Sequence, residues 1–309
     1  MKLMERKYVN KNGLIERTRF FVADNVRPRG KKKAKSSERK EEQNKQSRVR
    51  TLARILNCNA SKEKGSLLIT LTYDDEGIER LLNEMPEGDR ETLREISRKH
   101  GAVGEWKTVR KGNEKVEDRP EMPEEAEEAM YQLRKAARKL VSAWQRKLRR
   151  IAGTDAAKQV EVTSDMDGET GELVRIHHHI VIFCPDGLTE EVLKKAWQHG
   201  DVDFQSLRRQ RDYTPLAAYL MAQCRRKKNE QNYRTSRGLE MPEIQERIVL
   251  GAAAMRIPAG AKVMEHREPI EGQAVEYARY YMPERTKKIK KDGTMSGGDE
   301  DDGGISIYP

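Results

Sequence analysis

Three consecutive histidines are the residues of this chain whose type and spacing most directly suggest chemistry. They stand in "RIHHHIVIF" (175–183), where apolar residues flank them on both sides. Side chains of a strand alternate between the two faces of a sheet, so His177 and His179 are predicted to share one face. Two imidazoles two residues apart on one face can bind one metal ion. His178 is expected on the other, apolar face, either packed, hydrogen-bonded or stacked as an aromatic ring.

The preceding strand-like run supplies a candidate third ligand. In "KQVEVTSDM" (158–166), Glu161 is a polar residue in mid-strand that alternates with two valines. Two imidazoles and one carboxylate leave coordination positions open, as a catalytic metal site requires. We therefore predict a divalent metal, Mn²⁺ or Mg²⁺, held by His177, His179 and Glu161, with zinc also chemically compatible. The alternative is that the histidine pair is ordinary strand surface and binds no metal.

The composition favours a polyanionic partner. The chain of 309 residues has 61 Lys and Arg against 51 Asp and Glu, a formal net charge of +10, and 36% of its residues are charged. Such a balance indicates nucleic acid before membrane. No apolar run approaches the ~20 residues that a membrane helix needs, and the start of the chain lacks the apolar core of a signal peptide. Three scattered cysteines suit a reducing compartment, so a cytoplasmic protein is expected.

The positive charge is concentrated near the N-terminus. Residues 1–50 hold 17 Lys and Arg but 6 Asp and Glu, and this dense like charge predicts a basic, largely disordered N-terminal arm. Lys31, Lys32 and Lys33 are candidates for contacts with phosphates, which position a nucleic acid without specifying its sequence. The alternative is a charge run that is merely solvated.

The order of the remaining patterns predicts the fold. Apolar periodicity and turn residues predict a series of elements, namely a helix at 48–60, a strand at 66–73, a helix at 124–151, a hairpin at 158–183, a helix at 189–200, a strand at 201–204 and a helix at 213–229. This order predicts an α+β fold of the split βαβ type, an antiparallel sheet with helices packed on one face and the other face free for a site. We predict a main domain at 51–245 with a charged insertion at about 74–125, and a small C-terminal extension with a disordered tail at 246–309.

Three motifs in this order resemble those of HUH endonucleases, the rolling-circle replication initiators and relaxases that cut single-stranded DNA with a tyrosine. The motifs are "TLTY" (70–73), "HHH" (177–179) and Tyr219 in "PLAAYLMAQ" (215–223). The chain is most similar to the replication proteins of bacterial mobile elements and prophages. Further matching residues lie within about 45–245, namely Asn57 and Asn59, Glu161, Arg175, Trp197 and Gly200, and "TSRGLEMP" (235–242).

The resemblance implies an RRM-like HUH fold and a metal-dependent endonuclease that nicks and religates DNA. Tyr219 would attack the scissile phosphate to form a 5′-phosphotyrosine bond and release a 3′-OH, while the cation neutralises developing charge. Tyr213 and Tyr233 remain alternative nucleophiles. The implied partners are single-stranded DNA at a replication origin and a host helicase, because the sequence has no G-x-x-x-x-G-K-[ST] motif.

Two features qualify the resemblance. The family's tyrosine helix commonly carries a lysine as Y-x-x-K, but Ala222 stands at that position, and Lys227 and Lys228 are the candidates to replace it in contacting DNA. Arg175, at the start of the histidine strand, is a further candidate for DNA contact. Other classes also remain open: a DNA-binding module of the repressor or partition type without chemistry, an RNA-binding or RNA-cleaving protein, and a single-strand transposase or relaxase that shares the chemistry.

Overall fold

The computed structural model of the chain describes residues 2–22, 38–60, 65–100, 124–152, 158–167, 173–183, 187–208, 210–224, 226, 230–250, 254–268 and 275–283. Within these residues the helices are α1 (Glu38–Asn59), α2 (Asp75–Asn83), α3 (Glu87–His100), α4 (Glu124–Ala152), α5 (Glu190–Ala196) and α6 (Thr214–Ala222). The strands are β1 (Lys2–Val9), β2 (Leu14–Val22), β3 (Ser66–Leu71), β4 (Gln159–Met166), β5 (Leu173–Phe183), β6 (Val202–Ser206), β7 (Arg234–Thr235), β8 (Glu243–Val249), β9 (Lys262–Arg267) and β10 (Glu276–Tyr281).

The described strands form two antiparallel five-stranded sheets, which together with the helices confirm the α+β class. The histidine sheet has the order β6-β3-β5-β4-β7, with the three-histidine strand β5 at its centre. The terminal sheet has the order β8-β1-β2-β10-β9 and combines strands from both ends of the chain. Among the described helices, none is long and apolar enough to cross a membrane.

Helices cover both faces of the histidine sheet, whereas the sequence predicted helices on one face. Helices α2 to α5 pack on the face that carries Ile176, Ile180 and Ile182. Helices α1 and α6 pack on the opposite face, which carries Val181 and Phe183. The reason is that β5 is apolar on both faces beyond its histidines, and each apolar face has to be buried.

Helices α1 and α6 also contact the terminal sheet. On α1, Arg54 pairs with Glu16 at 2.8 Å, and its guanidinium lies 3.5 Å from the centre of the Tyr8 ring. On α6, the hydroxyl of Thr214 accepts a hydrogen bond of 2.7 Å from Arg279. The two helices that cover one face of the histidine sheet are therefore anchored to the terminal sheet.

The prediction of a disordered arm over residues 1–50 is corrected for most of its length. Residues 2–22 form β1 and β2, and α1 begins at residue 38. The charges of these strands are paired rather than solvated: the buried carboxylate of Glu5 accepts hydrogen bonds from Arg17 at 2.7 Å and Arg19 at 2.8 Å. The candidate phosphate-binding residues Lys31, Lys32 and Lys33 lie outside the described residues.

The other predicted boundaries also change. Strand β8 spans the expected boundary at 245, because it pairs with β1. The expected insertion contributes α2 and α3, whose Leu81 and Leu93 are fully buried in the core beneath α4. Tyr277 and Tyr280, expected on a helix, lie in β10. Residues 101–123 and the expected C-terminal tail from 284 onward lie outside the described residues.

Candidate functional site

Strand β5 divides the three histidines between the two faces, as its alternation predicted. His177 and His179 lie on the face covered by α1 and α6, and His178 lies on the face covered by α4. His179 pairs with Thr70 of β3 and with Val162 of β4, while His177 pairs with Ser164 of β4. The pair is therefore held at the centre of a five-stranded sheet, where backbone hydrogen bonds on both sides fix its position.

The two imidazoles of the pair point their Nε2 atoms toward each other. His177 donates its Nδ1 proton to the carbonyl oxygen of Arg175 at 2.9 Å, which leaves Nε2 as an acceptor. Nδ1 of His179 lies 3.3 Å from the hydroxyl of Thr70. The Nε2 atoms of the two rings are 3.2 Å apart. This separation suits two ligands of one ion, since metal–imidazole bonds are about 2.0–2.1 Å long.

Gln223, which the sequence patterns did not identify, is the third polar group at this point. Its Oε1 lies 2.7 Å from Nε2 of His179. Helix α6 ends at Ala222, earlier than the predicted 229, so Gln223 directly follows the helix. The signal in the sequence was its spacing from Tyr219: residues four apart lie on the same side of a helix.

Burial keeps both imidazoles of the pair neutral. It lowers the pKa of His177, and burial together with the neighbouring His177 lowers the pKa of His179 to about 3. Neutral imidazoles have a lone pair available for a metal, and metal ligands must be deprotonated. The chemistry of the donors, two imidazole nitrogens and one amide oxygen, therefore fits a divalent cation.

The predicted carboxylate ligand lies elsewhere. Glu161 is on the opposite face of β4, where its neighbour across the strands is Ile180 rather than either histidine of the pair. Its carboxylate forms an ion pair with Arg234 and accepts a hydrogen bond of 3.1 Å from Gln145. Accordingly, no group of three His, Cys, Asp or Glu within the described part of the chain is arranged to hold a metal ion.

Burial raises the pKa of the Glu161 carboxyl, and the Arg234 guanidinium opposes that rise. The prediction of Glu161 as a third ligand failed because alternation fixes the two faces of a strand but not which of them meets a given face of its neighbour. The pairing register decides that, and it places Val162 beside His179.

Tyr219 is the tyrosine that the structure brings to the histidine pair. Its ring centre is 6.0 Å from that of His179, and it is partly buried on α6. Tyr213, an alternative nucleophile, is buried, and its hydroxyl donates to the carbonyl oxygen of Arg208 at 3.2 Å. Tyr233, the other alternative, packs against the core between α1 and α6, and burial raises its pKa.

His178 is a buried structural residue. It is fully enclosed, and burial lowers its pKa well below the usual value. Nδ1 lies 3.1 Å from the hydroxyl of Thr163, and Nε2 lies 2.8 Å from the hydroxyl of Tyr73. Of the three predicted environments, the hydrogen-bonded one is present. This histidine connects β5 to both of its neighbouring strands.

The motif residues around the tyrosine helix form its scaffold. The side chain of Asn57 accepts a hydrogen bond of 3.0 Å from the backbone of Tyr213, where α6 begins. Asn59 exchanges two hydrogen bonds of 2.9 Å with the backbone of Glu240, within the "TSRGLEMP" segment. Both asparagines lie at the end of α1 and hold neighbouring segments in place.

A second group of motif residues holds the end of β3. The indole of Trp197 donates to the carbonyl oxygen of Thr72 at 2.9 Å. Gly200 has φ +147°, and a Cβ on it would be 2.7 Å from the Cα of Tyr73. Glycine is needed here because the backbone approaches too closely for a side chain. Trp197 and Gly200 thus fix Tyr73, the partner of His178.

The candidate DNA-binding residues have mixed outcomes. Arg175 donates to the carbonyl oxygen of Tyr73 at 3.1 Å and pairs with Asp75 at 2.7 Å, while a third of its side chain is exposed. Its contact with DNA stays a prediction. Lys227 and Lys228 lie outside the described residues, and their role in place of a lysine at Ala222 also stays a prediction.

Comparison with protein families finds a match to the family described as replication-associated protein ORF2, over residues 119–228. The match covers little more than a third of the chain and includes α4 through α6, with both the histidine strand and Tyr219. It supports a relationship to replication initiators and a role in replication initiation. No curated protein and no solved structure matches the chain.

Proposed function

We propose that this protein is an endonuclease and strand transferase that nicks and rejoins single-stranded DNA to initiate rolling-circle replication. The observation that carries the proposal is the arrangement of Tyr219 beside His179, whose Nε2 atom meets those of His177 and the amide oxygen of Gln223. A hydroxyl nucleophile next to a neutral, metal-competent donor set suits phosphodiester chemistry. The match to replication-associated proteins supports the biological context.

In the proposed reaction, the hydroxyl oxygen of Tyr219 bonds to the scissile phosphorus. The bond from phosphorus to the 3′ oxygen breaks, the tyrosine hydroxyl loses its proton, and the departing 3′ oxygen takes up a proton. The products are a 5′-phosphotyrosine and a free 3′-OH that can prime synthesis. One phosphate ester replaces another, so a later 3′-OH can attack the phosphotyrosine and rejoin the strand.

The residues that would hold the cation are His177, His179 and Gln223. When bound, a divalent ion such as Mn²⁺ or Mg²⁺ would orient the phosphate and neutralise charge that develops on it. The chain prepares these ligands: the Arg175 carbonyl fixes the tautomer of His177, and Thr70 contacts the far nitrogen of His179.

Ser164 is a further polar group on this face. It pairs with His177 across the strands and is fully buried, and its hydroxyl has no hydrogen-bond partner within the described residues. A buried hydroxyl without a partner costs about 1–3 kcal/mol. An anionic phosphate oxygen would accept its proton, which supports binding of the scissile group here.

The proposed partners are single-stranded DNA at a replication origin and a host helicase, in the cytoplasm. The excess of basic residues supports an anionic partner. A relaxase or single-strand transposase would use the same chemistry on a different DNA substrate. A repressor or partition module would bind DNA without forming a covalent adduct.

The test is covalent adduct formation by the full-length protein with a pool of single-stranded oligonucleotides and Mn²⁺ or Mg²⁺, resolved on a denaturing gel. We expect an adduct that requires the metal and is lost in Tyr219→Phe and in the double variant His177→Ala/His179→Ala. Tyr233→Phe and His266→Ala are the matched controls and should retain it. An adduct that persists in Tyr219→Phe excludes this nucleophile, and DNA binding without any adduct favours the non-catalytic module.

A further inference from the structure

A cluster of buried charges lies directly behind Gln223. Asp165, fully buried on β4, pairs with Arg134 of α4 at 2.7 Å and with Arg226 at 3.3 Å. Arg134 also pairs with Glu230 at 2.7 Å, and both of these side chains are only 3% exposed. The cluster therefore joins α4, β4 and the segment that follows α6.

The cluster is connected to Gln223 through the backbone of β4. The N–H groups of Asp165 and Met166 both donate to the carbonyl oxygen of Gln223, each at 3.2 Å. Adjacent N–H groups of a regular strand point in opposite directions, and here a register irregularity between Ser164 and Met166 lets both point the same way. Gln223 is thus fastened to the site where β4 is irregular.

The segment after Gln223 is fastened to the same strand. The guanidinium of Arg226 donates to the carbonyl oxygen of Thr163, and the thiol of Cys224 lies 3.3 Å from that oxygen. Arg226 also binds Asp165 at 3.3 Å, so residues 223–226 are held against β4 at both ends. The side chain of Gln223 is left to reach His179 from a rigid backbone.

Stability alone is a weak explanation for this cluster. Burying ion pairs costs desolvation that their attraction often only balances, and apolar replacements are commonly neutral or stabilising. The cluster does provide direction, because paired guanidinium and carboxylate groups fix geometry through several hydrogen bonds. Groups of this kind behind metal ligands orient those ligands.

We propose that Arg134, Asp165 and Arg226 are positioning residues that set Gln223 against the histidine pair and thereby tune the cation site. The inference rests on the proposed function, in which His177, His179 and Gln223 hold the cation. It predicts that the cluster affects ion affinity and the environment of His179 separately from its effect on folding.

The experiment compares Arg134→Met with Arg19→Met in the full chain. Arg19 is the matched control: it is a buried arginine between two carboxylates, Glu5 and Glu276, but it lies in the terminal sheet. Mn²⁺ binding is titrated by electron paramagnetic resonance at a temperature where each variant is folded. We expect Arg134→Met to weaken Mn²⁺ binding by about tenfold or more, and Arg19→Met to leave it unchanged. Equal effects of the two variants would overturn the proposal.

A second readout needs no metal. Long-range ¹H–¹⁵N spectra of the imidazoles report the environment of each ring nitrogen, and Arg134→Met should shift the Nε2 signal of His179 while that of His178 stays in place. Arg134→Lys, which keeps the charge, serves if the methionine variant does not fold. An unchanged His179 signal in the folded variant overturns the positioning role. If the wild-type protein binds no Mn²⁺, the proposed cation site fails, and the spectra still decide the positioning role.

Discussion

The hydroxyl of Tyr73 lies 2.8 Å from Nε2 of His178, and this contact joins the end of β3 to the middle of β5. Both side chains are buried, and the edge of the Tyr73 ring also meets Trp197. Burial raises the pKa of Tyr73 well above its usual value, so the hydroxyl remains protonated and can donate. The middle histidine thus supports the strand that presents the two outer ones.

Tyr73→Phe should destabilise the fold, because it leaves a buried nitrogen of His178 without its partner. We expect a loss of about 1–3 kcal/mol in the free energy of unfolding, measured with urea. Tyr8→Phe is the control, since the Tyr8 hydroxyl has a 3.5 Å contact with the partly exposed Arg6 and should lose much less. Equal losses in both variants would contradict the structural role of His178.

Acidification should weaken the fold through the buried histidines. The folded protein has lowered pKa values at His177, His178 and His179 because of burial, whereas the unfolded chain takes up protons near the usual histidine pKa of 6.5. Their contribution is therefore fully present above pH 6.5 and is lost as the pH falls toward the folded pKa values, which is about 3 for His179. The slope is up to about 1.4 kcal/mol per pH unit for each histidine.

This pH dependence is measured by urea unfolding at about pH 7 and about pH 5.5, a range in which most carboxylates stay ionised. The loss should be smaller in His178→Gln, which has one buried imidazole fewer. Equal stability of the wild-type protein at the two pH values would show that these histidines are not held neutral.

Gly200→Ala should disrupt the end of β3. A Cβ at this position would be 2.5 Å from the carbonyl oxygen of Thr72, at a φ of +147°. Gly187→Ala is the control, because Gly187 also has a positive φ but no atom within 4 Å of the place that a Cβ would take. We expect about 1–2 kcal/mol for the control and roughly 1–3 kcal/mol more for Gly200, measured as the free energy of unfolding.

Asn57→Ala should impair the chemistry as well as the fold. The side chain of Asn57 holds the backbone at the start of α6, and a small misplacement of Tyr219 is expected to slow adduct formation by about tenfold to a hundredfold. Asn59→Ala loses comparable hydrogen bonds, to Glu240 rather than to the tyrosine helix, and should keep the wild-type rate. The rate is measured on denaturing gels at a saturating oligonucleotide concentration.

Glu161→Gln and Gln223→Ala distinguish the two candidate third ligands. We expect Glu161→Gln to lower the free energy of unfolding by about 1–3 kcal/mol, since it breaks the ion pair with Arg234, and to leave Mn²⁺ affinity unchanged. Gln223→Ala should weaken Mn²⁺ binding at least about tenfold, by analogy with the loss of a supporting ligand. The reverse result in a Mn²⁺ titration would restore the carboxylate site predicted from the sequence.

Local patterns were sufficient for much of the histidine sheet. Alternation along β5 separated His177 and His179 from His178, and apolar periodicity located α4 within a residue or two of its observed ends. The capping pattern at Thr189 was also correct, since its hydroxyl accepts the N–H of Val192. These features depend on neighbours in the sequence, and strand and helix geometry relate such neighbours directly.

Contacts between distant residues could not be derived in this way. Glu161 was assigned to the histidine pair because its strand was correct, but the register between β4 and β5 turned it to the other face and left Gln223, 44 residues beyond His179, to meet the pair. The charged N-terminal residues resemble a disordered arm in sequence, whereas β8 and β10, from the far end of the chain, supply their partners. Registers and long-range pairings depend on the burial of whole faces and on the pairing of charges across the fold, and no local pattern specifies them.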